Sequence, residues 1–297
     1  MLIGYLSLAL TSNSNYLGDS SLKNYLALTA FTPIHYSRVS TFDGAISITL
    51  RKAWEMNNLS GDIGSAHHYF KPVYRPDNRL IGMEIMTFLV AQNSSEYLYP
   101  AWQVAHLDVN QQMVLFSEKI LLLEKVKTLL ESWQITIWIN ITDSILTEMM
   151  QNTDWVPRLQ NLSFVTLIID EDFPGMAYGR NNLRLIWLAE KFPLALANLG
   201  SGKSSNRAIF DKLFQHIFLS QQFVHNQVYR PSFVPFANAI IRQIAPFCEA
   251  LMVSGVDDIK MYHEVKGLEF AAMRGNLWPD IAAEDISALF EAAEHPP

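Results

Sequence analysis

Two side chains of this sequence, Glu84 and Asn140, could bind a divalent metal ion. Glu84 lies within an apolar, strand-like run at 80–88, and Asn140 lies near the end of a second run at 135–141. Carboxylate and amide oxygens are the ligands that Mg²⁺ and Mn²⁺ accept. Two-metal hydrolysis of a phosphodiester needs several such ligands, which hold two ions ~4 Å apart. One carboxylate and one amide cannot neutralise two divalent cations, so these two side chains alone do not make a two-metal site.

The other reactive side chains form no pattern that is typical of an enzyme. His67 and His68 are adjacent but have no partners at metal-ligand spacing, which favours a solvated or partly packed pair. Residues 202–204 (Gly-Lys-Ser) resemble the end of a P-loop, but the glycine required five positions before Gly202 is Ala197. No Gly-x-Ser-x-Gly motif frames a nucleophilic serine.

Composition narrows the class of protein. The 297 residues are 49% hydrophobic and 17% charged, which is typical of a folded chain with one large or two small domains. The net charge of −7 offers no basic field, so we expect no direct nucleic-acid binding. No apolar run reaches the ~18–20 residues that cross a bilayer, and the apolar start lacks the charge of a signal peptide. The single cysteine, Cys248, lies in an apolar helical pattern and predicts a buried thiol.

Strand-like and helical patterns alternate from residue 69 onward. The strand-like runs are 69–74, 80–88, 135–141, 164–169, 194–197, 251–253 and 270–273. The helical periodicities cover 111–133, 182–192, 205–217, 233–248, 257–265 and 284–294. This alternation predicts an α/β fold with a mostly parallel sheet, and the number of short strands favours a closed (β/α) barrel. Chemistry in such barrels takes place at the C-terminal ends of the strands, where Glu84 and Asn140 fall.

The first 65 residues differ from the rest. They are rich in Ser, Thr and Asn and show little periodicity. Two interpretations remain open: a disordered or loosely folded extension, or translation from upstream of a native start at Met56. We therefore expect an N-terminal extension at 1–65 and a single barrel domain at 66–297.

Several motifs at the strand ends resemble the EAL domain family of cyclic di-GMP phosphodiesterases. Residues 80–86 take the place of the E-A-L signature, with Glu84 at the metal-binding glutamate. Residues 139–142 (Ile-Asn-Ile-Thr) are similar to the I-N-L-S strand end, with Asn140 at its asparagine. Segments within 194–214, 248–252 and 275–279 look more like the degenerate, YdiV-type regulators of enteric bacteria. The resemblance spans residues 70–279 and implies an EAL-type modified TIM-like barrel.

The same resemblance implies that most of the catalytic machinery has been lost. A phosphate-binding arginine is replaced by Phe88, and the catalytic lysine by Phe218. Glu171 persists in the E-x-T-E strand, and the glutamine before the late glycine is Arg274. The positions with a lost ligand or catalytic group are Phe88, Ile168, Ala197, Asn198, Phe218, Ser220 and Ser254. The resemblance thus implies that Glu84 and Asn140 are vestigial metal-site positions, with no catalytic residue, no bound metal and no cofactor.

The function implied by this resemblance is protein binding without catalysis. YdiV-type regulators bind the FlhD subunit of the flagellar activator FlhDC, block its DNA binding and favour its proteolysis by ClpXP. The same class of action would repress flagellar genes and motility here, in the cytoplasm and without a membrane partner. Arg274 and Trp278 are candidates for partner contacts.

Two alternatives from other functional classes remain open. One is a receptor that binds cyclic di-GMP without cleaving it, which calorimetry with the dinucleotide would test. The other is a weak cyclic di-GMP phosphodiesterase, which would turn over the dinucleotide with Mn²⁺ and lose activity on Glu84→Gln. The loss of phosphate and metal contacts favours neither, so we expect no cyclic di-GMP binding.

Overall fold

The computed structural model describes residues 63–91, 97–98, 107–152, 154–201 and 206–287. Its strands are β1 Ile63–Tyr74, β2 Leu80–Ala91, β3 Tyr97–Leu98, β4 Thr136–Asn140, β5 Val165–Asp170, β6 Leu194–Leu199, β7 His216–Leu219, β8 Ala250–Ser254, β9 Ala272–Arg274 and β10 Ile281–Ala282. Its α-helices are α1 Val109–Lys125, α2 Lys127–Trp133, α3 Asp143–Gln151, α4 Trp155–Gln160, α5 Leu183–Lys191, α6 Arg207–Phe210, α7 Gln221–Gln227, α8 Phe233–Ile244 and α9 Ile259–Val265. Short 3-10 helices cover Met176–Asn181, Ala245–Phe247 and Ala283–Asp285.

The strands close into a barrel, as the sequence predicts. Their order is β1-β9-β8-β7-β6-β5-β4-β2, and β2 pairs again with β1. The pairs from β2 through β9 are parallel, whereas β1 runs antiparallel to both of its neighbours. This one reversed strand makes the barrel a modified version of the all-parallel TIM barrel. β3 and β10 extend the sheet beside β2 and β1.

Side chains alternate between the two faces of each strand, and this alternation produces two hydrophobic layers. The outer layer packs the strands against the helices and includes Met83, Ile85, Leu167 and Leu196. The inner layer fills the barrel interior and consists of Val73, Trp138, Ile168, Ala195, Ala197, Phe218, Met252 and Ala272. The interior is therefore a packed apolar core rather than a pore.

A glycine on β2 makes room for the largest side chain of this interior. A Cβ atom on Gly82 would lie 2.5 Å from the ring of Trp138 and 2.3 Å from the carbonyl oxygen of Thr136. Because β2 and β4 are adjacent parallel strands, only glycine allows the indole to cross this position.

Two predicted helices near the centre of the chain are wrong in extent. The helix predicted at 205–217 is the short α6, and the four-residue strand β7 follows it at His216. A buried run of four residues is too short for periodicity to separate strand from helix. The helix predicted at 111–133 is divided at Val126, whose ψ of 12° departs from the helical value.

The environment of Cys248 also differs from the prediction. Helix α8 ends at Ile244, and Pro246 lies in the 3-10 turn that follows, so Cys248 lies outside the helix. Its side chain is half-buried, and burial raises the pKa of the thiol to about 11. The thiol is therefore protonated and unreactive at neutral pH.

Several predictions fall outside the described residues. Strand β1 begins at Ile63, slightly before the predicted start of the barrel domain, and the rest of the N-terminal segment, with Met56, lies outside them. The helix predicted at 284–294 overlaps the 3-10 turn at Ala283–Asp285, and its part beyond residue 287 lies outside the described residues. Within the described part of the chain, no helix has the length and apolarity to cross a membrane.

Candidate functional site

The C-terminal ends of the parallel strands bring the predicted site residues to one mouth of the barrel. Glu84 comes from β2, and Asn140 ends β4 beside Ile168 of β5. Ser254 and Arg274 are neighbours at the ends of β8 and β9. The structure therefore assembles positions that are up to 190 residues apart in the chain.

Arg274 and Glu84 form a direct ion pair inside this mouth. The Nη1 atom of Arg274 donates to Oε2 of Glu84, and the two side chains are only 9% and 12% exposed. The Nε atom of Arg274 donates to the hydroxyl of Ser254 at 2.9 Å, and its guanidinium carbon lies 4.2 Å from the ring centre of Phe218. Arg274 thus contacts three of the positions at which the family resemblance implies metal or catalytic groups.

Two lysines add positive charge near the same carboxylate. Lys119 on α1 interacts electrostatically with Glu84, which favours its charged form, but burial dominates and lowers its pKa to about 8. Lys71 of β1 is level with Glu84 in the strand register, and its amine lies 3.2 Å from the Asp280 carboxylate. The mouth therefore balances its acids with side-chain cations.

Apolar side chains occupy the positions below this charged layer. Ile168 and Phe218 are fully buried, and Ala197 is 5% exposed. The indole of Trp138 packs edge-on against Phe218, with 5.2 Å between ring centres, and its Nε1 donates to Nδ1 of His216 at 3.1 Å. Burial lowers the pKa of His216, which keeps the imidazole neutral and able to accept this hydrogen bond.

The loop after β6 is held by two polar contacts from the end of β5. The side chain of Asn198 donates to the Asp170 carboxylate, and Asn198 adopts a positive φ of 59°. Glu171 accepts from the backbone N–H of Ser201 at 2.8 Å and from the Ser201 hydroxyl. Glu171 is almost fully buried, so these bonds fix the loop although two of its acidic positions are now Ala197 and Asn198.

Asp170 is an acid that the sequence reasoning did not place in the site. Burial raises the pKa of Asp170, and the hydrogen bond from Asn198 partly opposes that shift. The strand-like run predicted from the sequence ends at residue 169, so Asp170 is not among the predicted site residues. Its contact with Asn198 ties one lost-ligand position to the end of β5 by a hydrogen bond.

The residues present do not fit the two metal ions that an EAL-type phosphodiesterase implies. Glu84 is already neutralised by Arg274, and Ile168 and Phe218 place hydrocarbon beneath it. Among the residues that the structure describes, no group of three or more His, Cys, Asp and Glu side chains could hold a metal ion. We therefore derive no metal-assisted step at this mouth.

The two residues predicted to contact a partner, Arg274 and Trp278, lie in different surroundings. Arg274 is 8% exposed and its charge is taken up inside the barrel, so the prediction that it contacts a protein partner is not supported by its position. Trp278 is half-buried, and its ring stacks on Tyr74 with 5.3 Å between ring centres. A partner contact by Trp278 stays a prediction.

The other positions that the sequence analysis singled out make packing or hydrogen-bond contacts. Ser220 is buried and precedes α7, and Phe88 packs edge-on against Tyr69 with 5.1 Å between ring centres. His68 lies 3.0 Å from Thr87 Oγ1 and 3.2 Å from Glu118 Oε2, which makes it a packed histidine. The P-loop-like residues 202–204 lie outside the described part of the chain.

Comparison with known proteins identifies the family. No family model matches the chain. The anti-FlhC(2)FlhD(4) factor YdiV of Salmonella typhimurium is 34% identical over 223 residues, which cover 75% of this chain and 94% of YdiV. The same factor of Salmonella typhi is 33% identical over the same shares. The chain belongs to the YdiV family.

Solved structures agree with this assignment. The crystal structure of the EAL-like domain protein YdiV matches with a TM-score of 0.69 and 29% identity, over 75% of this chain and 95% of that one. The PaMucR phosphodiesterase in complex with c-di-GMP matches with a TM-score of 0.57 at 13% identity, which shows the shared fold alone. The predicted degenerate EAL-like barrel is confirmed, and the YdiV-like chain is a regulatory relative of the EAL enzymes.

Proposed function

We propose that this YdiV-like protein binds the FlhDC activator through FlhD and blocks its engagement with promoter DNA. The outcome would be repression of flagellar genes and motility, with ClpXP-dependent loss of the activator as a further consequence. This action would take place in the cytoplasm, where the activator meets DNA. No step of it requires hydrolysis of cyclic di-GMP.

The observation that carries this proposal is an intact EAL-like barrel whose metal-binding glutamate is paired with an internal arginine. Arg274 also removes the main support for a cyclic di-GMP receptor, since the guanidinium that could have met a phosphate already binds Glu84 and Ser254. A scaffold preserved without its chemistry is expected to act through its outer surface. The named function of its YdiV relatives supplies the partner.

Exposed apolar side chains lie in the segment after α7, on α8 and at the start of α9, and they suit a protein contact. Tyr229, Val234, Phe236 and Ile259 are 59%, 42%, 50% and 56% exposed, and we name them the α7–α9 surface. The Tyr229 hydroxyl lies 3.3 Å from the Asp258 carboxylate, which links the segment after α7 to the start of α9. Exposed apolar groups of this kind mark interaction sites on soluble proteins. We propose the α7–α9 surface as the contact for FlhD.

Paired surface variants test this proposal. Phe236→Ser should weaken binding of the purified protein to FlhDC by about tenfold or more, because a buried aromatic anchor at an interface contributes over 1 kcal/mol. Leu183→Ser is the matched control, since Leu183 is 81% exposed on α5 and outside the α7–α9 surface. Affinity would be measured by calorimetry, with circular dichroism to verify folding. Loss of binding with Leu183→Ser but not with Phe236→Ser would move the interface to α5.

A further inference from the structure

The retained glutamate of the former metal site has a cationic partner within the chain itself. Glu84 is 12% exposed, and a carboxylate so far from water needs a counter-charge. In the enzymes that the barrel resembles, divalent ions supply that charge. Here the guanidinium of Arg274 reaches across the mouth from β9 to β2 and supplies it.

The surroundings of Arg274 are built to hold a fixed cation. Its Nε atom is bound by the Ser254 hydroxyl at 2.9 Å, and its guanidinium lies over the Phe218 ring at 4.2 Å. An aromatic face and a hydroxyl both stabilise a guanidinium, whereas neither replaces the charged ligands of a divalent ion. An arginine side chain stays protonated at every physiological pH.

We infer that Arg274 is a built-in counter-ion that takes the place of a divalent cation beside Glu84 and keeps metal ions out of the barrel mouth. The pair joins β9 and β2, the two strands that flank the antiparallel β1. It therefore helps to close the barrel at its reversed strand, and the folded state becomes independent of metal supply. This inference concerns the barrel alone and does not rest on the proposed function.

The charge balance predicts opposite behaviour for single and double substitutions. Arg274→Gln restores the family's neutral residue and leaves Glu84 unpaired, so the thermal midpoint should fall by on the order of 10 °C. The double variant Glu84→Gln/Arg274→Gln removes both charges and should recover most of that loss. Arg274→Lys, the matched control, keeps a cation at this position and should lose less than Arg274→Gln.

Metal titration provides the second measurement. Mn²⁺ should bind the Arg274→Gln variant at millimolar concentration and raise its midpoint, because the freed carboxylate can then meet a metal ion. The wild-type protein, Arg274→Lys and the double variant should show neither binding by electron paramagnetic resonance nor a shift with Mn²⁺ or EDTA.

Three results would overturn the inference. The first is Mn²⁺ binding by the wild-type protein with a rise in its midpoint. The second is an Arg274→Gln variant that is as stable as wild type or fails to bind Mn²⁺. The third applies if Arg274→Gln does not fold: the double variant should then fold, and its failure to do so would show that Arg274 does not act by balancing Glu84.

Discussion

At the scale of single residues, the loss of phosphodiesterase chemistry is a change of packing as well as of ligands. Ile168 and Phe218 lie at positions where the family resemblance implies a glutamate and a lysine, and both are fully buried in the interior layer. A charged side chain returned to one of these positions would meet hydrocarbon instead of its former partners. Restoring any single ligand should therefore cost stability without restoring activity.

Ile168→Glu tests this conclusion directly. The new carboxylate would lie in the layer that contains Trp138 and Phe218, so the free energy of unfolding should fall by roughly 3 kcal/mol or more. Ile168→Val is the matched control and should cost about 0.5–1.5 kcal/mol, since it removes one methylene group. Urea denaturation would measure both values, and cyclic di-GMP turnover with Mn²⁺ should be undetectable in each. Turnover by Ile168→Glu would contradict this account of the site.

At the scale of strands and helices, the packing of β2 against β4 determines the shape of the interior. Trp138 reaches across Gly82 and packs in the apolar layer of the barrel interior. This contact explains why residue 82 is glycine although the neighbouring residues of β2 are large and apolar. The barrel interior is thus specified by one small and one large residue on adjacent strands.

Gly82→Ala should disturb this pair of strands. Its Cβ would lie 2.5 Å from the Trp138 ring and 2.3 Å from a backbone oxygen, so overpacking should lower the free energy of unfolding by about 1–3 kcal/mol. Gly267→Ala is the matched control, because a Cβ there meets nothing within 4 Å. Urea midpoints would be compared between Gly82→Ala and Gly267→Ala. Equal stability of these two variants would show that β2 and β4 shift to accept the added methyl group.

The hydrogen bond between Trp138 and His216 predicts a dependence of stability on pH. Burial lowers the folded-state pKa of His216 below 6.5, so the unfolded chain binds a proton more readily than the folded chain does. The contribution to stability is complete above pH 6.5 and is lost as the pH falls from 6.5 through the lower, folded-state pKa. His216→Gln keeps an acceptor but cannot titrate in this range.

The urea midpoint should therefore fall less between pH 7.5 and pH 5.5 for His216→Gln than for the wild-type protein. His68, whose pKa is also lowered by burial, contributes with the same sign, so the fall should be reduced and not abolished. An identical fall in both proteins would mean that His216 does not titrate differently on folding.

The elements also show where sequence reasoning succeeds and where it stops. The apolar runs at 80–88 and 164–169 and the helical period at 182–192 predict β2, β5 and α5 to within a few residues, and their alternation predicts the barrel. The sequence does not predict β7, because four buried residues carry no period. It predicts only the second half of β1, because the first half contains polar residues such as His67 and His68. Pairing with β2 stabilises that first half, and pairing is not visible in a local pattern.

The candidate site likewise contains residues that the sequence predicts and a contact that it does not predict. The motifs predict Glu84, Asn140 and the lost-ligand positions, and in the structure Asn140 pairs with Ile168 at the adjoining ends of β4 and β5. The partner of Glu84 could not be predicted, because Arg274 is 190 residues away in sequence and its orientation depends on barrel closure. A partner contact by Arg274 stays a prediction, and the structure shows its guanidinium paired with Glu84 inside the mouth.

At the scale of the whole molecule, the proposed function assigns the barrel the role of a scaffold that acts through its exterior. Its mouth is filled by paired charges over an apolar layer, while large apolar side chains are exposed on the α7–α9 surface. The acidic net charge of −7 would favour encounter with a partner that must itself be basic enough to bind DNA. Binding of FlhDC is therefore the property that tests the proposed function most directly.

The most direct test is to titrate the purified protein into FlhDC held on labelled promoter DNA. Fluorescence anisotropy would report release of the DNA, and calorimetry would report the protein complex in the absence of DNA. We expect micromolar or tighter binding, displacement of the DNA, and no effect of added cyclic di-GMP or EDTA. No binding at tens of micromolar, or binding that leaves the DNA in place, would contradict the proposal that this YdiV-like protein is an anti-activator of FlhDC.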